Sequence, residues 1–227
     1  MIIENKTNMN DESMEKLNAI CENIDENISG FDLCGFKGIS IVSDNVLPEI
    51  SDGRLENMTI LLPKRKTEHY FANNNDLLVK STIYHELCHV DLANKLPNLH
   101  ALHASCVKKE DYISATTIMV YIEYVAHTNS YNFESAEIRS NFFKSICDWE
   151  WDFNNEEHKI YFIKAAPYII ARDPNSNFIN DLDNEMLREN LIEIRDELKK
   201  ITKNGIIDDY DKLIDLSRIV KKYINND

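Results

Sequence analysis

Between Gly53 and Gly205 the chain contains no glycine, and only five occur in the whole sequence. Glycine supplies tight turns, left-handed backbone and the loops that cradle phosphates. So long a stretch without it is expected to be helical, with neither a P-loop nor a dinucleotide-binding fold. The other four glycines (30, 35, 38 and 53) crowd the first quarter, where strands and turns belong.

Local patterning agrees with that division. Residues 10 to 28 read as an amphipathic helix with Met14, Leu17, Ile20, Cys21 and Ile24 inward. Two β-type runs follow, Gly38–Val42 and Met58–Leu62, the second closed by Pro63, with Ser51-Asp52-Gly53 as a turn between them. Helical periodicity returns over 133–150, 156–172, 184–203 and 208–225, and Pro167 is expected to kink or begin a helix. Phe142, Phe143, Trp149, Trp151 and Phe153 read as core aromatics. The expected fold class is α+β, predominantly α-helical, with a small N-terminal β-sheet and a helical C-terminal part. The loop Asp173–Asn177 is the expected joint between a domain over 1–173 and a charged helical hairpin over 174–227.

The chemistry is concentrated in His85-Glu86-Leu87-Cys88-His89, an H-E-x-x-H pattern inside a helix expected from about Asp76 to Leu96. Asn75 or Asp76 offers an N-cap, and Pro97 is expected to stop the helix. Residues four apart on a helix lie on one face, so both imidazoles can reach one metal ion while Glu86 leans over its open side. Leu78, Ser81, His85, Cys88, His89 and Leu92 are expected to share one broad face. Catalytic zinc commonly takes three protein ligands and keeps a water. Leu92 and Lys95 stand where a metzincin has Gly and His. His100 and His103 fall in a turn-like stretch after Pro97, and Asp91 points to another side of the helix. Cys88 is expected to pack rather than ligate.

Glu123 is the leading candidate for third ligand, with His127 and other carboxylates as alternatives. It is an acidic side chain in an otherwise apolar helix that begins near Asp111, and a buried carboxylate is costly unless paired or metal-bound. His127, one turn later, can orient a ligand as a hydrogen-bonding partner. His127, Tyr121, Tyr124 and Tyr131 are the candidates for stabilising negative charge on the substrate, and the sequence does not choose among them.

With these residues placed, the chain resembles the zincin metallopeptidases. Within them it is similar to the gluzincin group and to small bacterial ImmA-type zincins, whose E-x-x-A helix matches Glu123-Tyr-Val-Ala126. The resemblance covers residues 75 to 130. It implies a zincin-like core, zinc as cofactor, His85, His89 and Glu123 as ligands, and Glu86 as general base. His127 stands where larger gluzincins often carry Asp, and Cys88 where a small residue is common.

Composition bounds the partners. A formal charge of −14 argues against nucleic acid or an anionic membrane, because both are held by Lys and Arg. The five cysteines are dispersed and odd in number, which suggests free thiols in a cytoplasmic setting. No basic-then-apolar leader and no long apolar run is visible. The expected function is hydrolysis of peptide bonds in a peptide or protein substrate, which an edge strand of the sheet can bind. The alternative is a zinc-binding but catalytically silent module that recognises a partner.

Overall fold

The computed structural model describes residues 1–48, 51–131, 152, 155–173 and 177–225. These residues fall into two compact units. The first comprises residues 1–48, 51–94 and 129–131; the second comprises 95–128, 152, 155–173 and 177–225. The helix expected over 133–150, the five aromatics between 142 and 153, and most of the 173–177 joint lie outside the described residues.

The first unit is built on four short strands: β1 (Ile3–Asn5), β2 (Gly38–Val42), β3 (Arg54–Glu56) and β4 (Thr59–Pro63). They lie in the order β1-β2-β4-β3, parallel except for β3, which runs antiparallel to β4 along one edge. Both runs expected as strands are present. β2 is buried along its whole length because it is a central strand with β1 and β4 on either side. Gly38 is required here: it sits at φ +122°, and a Cβ would collide with the Ile2 carbonyl, beside which Ile39 N–H bonds Ile2 O at 2.9 Å. The N-terminal helix α1 (Asp11–Asp25) is capped by Asn10, whose side chain accepts the Ser13 N–H at 2.8 Å. Leu17, Cys21 and Ile24 are buried as expected, with Ser13 beside them, whereas Met14 and Ile20, also expected inward, are only partly covered because they flank that stripe. α2 (Lys64–Ala72) follows β4 directly, and α3 (Asp76–Lys95) carries the H-E-x-x-H pattern.

The second unit is helical. α4 (Pro97–Lys108) is a finding against expectation: Pro97 ends α3 but also opens a new helix as its first residue. Proline suits that position, since its missing N–H would be unbonded there anyway. The next two amides, of Asn98 and Leu99, donate to the Asp208 carboxylate at 2.9 and 2.7 Å. α5 (Tyr112–Ser130) begins as expected, with Asp111 accepting the Ser114 N–H at 3.1 Å. α6 (Glu156–Arg172) has Pro167 in its interior rather than at its start. After the short α7 (Asn177–Asn180) come α8 (Glu185–Thr202) and α9 (Ile214–Asn225), and α6, α8 and α9 pack on one another. Phe162, Ile163 and Ile169 of α6, Leu187, Leu191, Ile194 and Leu198 of α8, and Leu216 and Val220 of α9 are among the buried side chains of this cluster. No described helix is long and apolar enough to cross a membrane. The architecture is thus α+β and mainly helical, with the sheet confined to the N-terminal part.

Candidate metal centre

The motif helix α3 is buried on more than one face. Ile83, Tyr84, Glu86, Leu87, Cys88, Val90, Asp91 and Leu92 are all buried, so the single inward face expected from periodicity is too narrow a description. Between Ser81 and Ala93 the exception is a stripe at spacings of three and four, Thr82, His85, His89 and Ala93, whose residues are only partly covered. The two imidazoles therefore occupy the accessible side of an otherwise enclosed helix. Their Nε2 atoms are 3.0 Å apart, with the rings edge to face. Two nitrogens bound tetrahedrally to zinc at 2.0–2.1 Å stand about 3.3 Å apart. The pair thus fits one zinc ion with a shift of only a few tenths of an ångström.

Glu86 is turned toward β3. Its Oε2 accepts the Leu55 N–H at 2.8 Å, and the side chain is about nine-tenths buried. Antiparallel pairing aims successive amides alternately at the partner strand and away from it. The Leu55 amide is one that points away from β4, so Glu86 satisfies the outer edge of the sheet. Gly53 makes this approach possible. A Cβ there would lie 2.7 Å from Thr82 Cγ2, one helical turn before Glu86. Asp52, beside it, is held from α2 by Tyr70 Oη at 2.5 Å and Lys66 Nζ at 2.8 Å.

Other side chains near the motif are committed to structure. The buried Asp91 carboxylate accepts the Asp32 N–H at 2.6 Å, and Asn94 donates to the carbonyls of Asp32 and Cys34. Cys88 is buried with 1% exposure, in keeping with packing. His100 and His103 lie on α4 and not in a turn, and burial pushes the His103 imidazole below its ordinary pKa.

Glu123 lies in the second unit, on α5. Every residue from Val120 to His127 is buried except Glu123, whose side chain keeps 30% exposure. His127 Nε2 faces Glu123 Oε2 at 3.5 Å, as expected for residues one turn apart. On its other side, His127 Nδ1 lies 3.3 Å from Nη1 of the buried Arg172. Tyr168, one turn before Arg172 on α6, completes the group. Its ring meets the His127 ring edge to face at 4.3 Å, and the Arg172 guanidinium lies 3.2 Å over its centroid. Tyr121 is fully buried, and its oxygen accepts the Ile207 N–H at 2.7 Å. Burial raises the Tyr121 pKa, partly countered by that hydrogen bond. Tyr124 is buried on α5, and Tyr131 is half-buried just past the helix end.

The expected residues are thus gathered as two groups, one per unit: His85, Glu86 and His89 on α3, and Glu123 with His127 on α5. Sequence reasoning missed Leu55, Tyr168 and Arg172. Leu55 acts through its backbone, which leaves no side-chain signature. The spacing of Tyr168 and Arg172 matches one helical turn, but nothing local tells which helix they face. No protein-family model matches the chain, and no curated protein or solved structure matches it.

Proposed function

We propose that the chain is a zinc-dependent peptide-bond hydrolase of the zincin type, in which His85, His89 and Glu123 hold the ion and Glu86 is the general base. The observation that carries this reading is the 3.0 Å separation of the His85 and His89 Nε2 atoms on adjoining turns of α3. Two imidazoles and a carboxylate suit zinc, a borderline-soft ion that favours nitrogen and carboxylate donors.

When bound, zinc supplies an electrophilic centre that brings the pKa of a water to about 7. The protein's own contribution is positional. Glu86 has one oxygen engaged by Leu55 and offers the other to take the proton of the attacking water and deliver it to the leaving amine.

The test is elemental analysis of protein purified without a histidine tag. One zinc per chain is the expected result, lost in Glu123→Ala and kept in Glu86→Gln. A mixed peptide library should be cleaved by the wild type and left intact by Glu86→Gln. A hydrogen bond between two neutral imidazoles also suits 3.0 Å, so a zinc-supplied sample without metal would show that the contact is only structural. Full peptidase activity in Glu86→Gln would remove Glu86 as the base.

A further inference from the structure

The contacts of His127 point to a role that the α5 sequence alone leaves open. We propose that Arg172 is a positioning residue that fixes His127 as the Nε2–H tautomer, so that this N–H steers the Glu123 carboxylate and His127 itself stays off the metal. The proposal rests on the zinc reading above and concerns how the third ligand is held.

The argument begins with what an arginine can do. A guanidinium carries only N–H donors and stays protonated in proteins, so any nitrogen bonded to it must present a lone pair. Arg172 Nη1 lies 3.3 Å from His127 Nδ1, and both side chains are buried. His127 Nδ1 is therefore the acceptor. A neutral imidazole has one N–H, which must then sit on Nε2, the atom facing Glu123 Oε2 at 3.5 Å. Flipping the ring would set a C–H against the guanidinium and another against the carboxylate, forfeiting both contacts.

Geometry fixes Arg172 in turn. Its guanidinium lies 3.2 Å over the Tyr168 ring, and that ring also meets His127 edge to face. Tyr168 and Arg172 lie one turn apart on α6, as Glu123 and His127 do on α5. Four side chains thus form one chain of contacts, guanidinium to imidazole to carboxylate, braced by an aromatic ring. The arrangement also decides between the two roles open to His127. One ring nitrogen faces a fixed positive charge and the other bears a proton, so neither has a lone pair for a dication. A histidine or similar donor on the far side of a ligand orients it and raises its affinity for metal.

The experiment uses full-length, metal-free protein with ¹⁵N-labelled histidine. Long-range ¹H–¹⁵N spectra distinguish the two neutral tautomers, and His127 is assigned by the signals missing from His127→Gln. The wild type should show Nε2–H at His127. Arg172→Met should lose that preference, with zinc affinity by chelator competition falling about 10–100-fold. Arg172→Lys, which keeps a charged donor, should recover part of both. An Nδ1–H tautomer in a zinc-binding wild type overturns the role of Arg172, as does an Arg172→Met protein with unchanged tautomer and affinity. A wild type that retains no zinc overturns the metal centre itself, whatever the tautomer. The wild-type spectrum needs no substitution, so the test survives a variant that fails to fold.

Discussion

On the zinc-hydrolase proposal Glu86 carries two duties that substitution can separate. As the partner of the Leu55 N–H it holds the sheet edge; as a carboxylate it accepts a proton. Glutamine keeps an acceptor oxygen at the same reach but has no basic group. Alanine keeps neither. The Leu55 amide bonds Glu86 at 2.8 Å, and the acceptor side chain is about nine-tenths buried. Removing the acceptor of a part-buried amide costs about 1.5–3 kcal/mol when that acceptor is charged. Removing a buried carboxylate also relieves its own desolvation, which offsets part of the loss. Glu86→Ala is therefore expected to destabilise by about 1–2 kcal/mol, and Glu86→Gln by well under 1 kcal/mol.

Equilibrium urea unfolding of metal-free protein reads this difference without the contribution that bound zinc would add. With a slope of about 2 kcal/mol/M, the midpoint of Glu86→Ala should fall by about 0.5–1 M, and that of Glu86→Gln by less than half as much. Turnover should fall in both, by about 10²–10⁴-fold for loss of the general base. Equal midpoints for wild type and Glu86→Ala would refute the structural duty. Equal losses of stability in both variants would show that the charge, not the Leu55 hydrogen bond, is what matters.

Three further outcomes follow from the same geometry. Gly53→Ala should destabilise by about 1–3 kcal/mol, because its Cβ would stand 2.7 Å from Thr82 Cγ2; a thermal scan showing no loss would mean that β3 yields freely. Asp208→Ala should cost about 1–2 kcal/mol, as a lost helix cap does, since the carboxylate accepts both the Asn98 and Leu99 amides; Asp208→Asn should retain part, measured by urea unfolding. Burial pushes the Cys21 thiol up from its ordinary 9.0 to about 12. The folded state then holds its proton where the unfolded chain has lost it, so this contribution is complete below pH 9 and declines as pH rises towards 12. Cys21→Ala should flatten that alkaline decline in stability, and an identical pH profile would count against it.

What the chain revealed in advance separates by the range of the interactions involved. α3 and α5 were legible because the signals at their ends are local: Pro97 closes the first, and Asp111 caps the second at 3.1 Å. β2 and β4 were legible as runs of β-branched and apolar residues. β1 and β3 were not, because each is three residues long and β3 reads Arg-Leu-Glu. Such a strand has no hydrophobic signature; pairing with β4 and the Glu86 carboxylate hold it in place. α4 was hidden in the same way, since the carboxylate that caps it stands about 110 residues away. His85 and His89 need only one helix to meet, so their spacing sufficed. Arg172 and His127 needed two helices to be packed before either could be assigned a partner. The H-E-x-x-H pattern is thus encoded within one turn of helix, whereas the partners of Glu86 and His127 come from folding. Substitutions of Tyr168 or Arg172 should therefore disturb His127, and Leu55→Pro, which removes the amide, should disturb Glu86, while the H-E-x-x-H pattern remains intact.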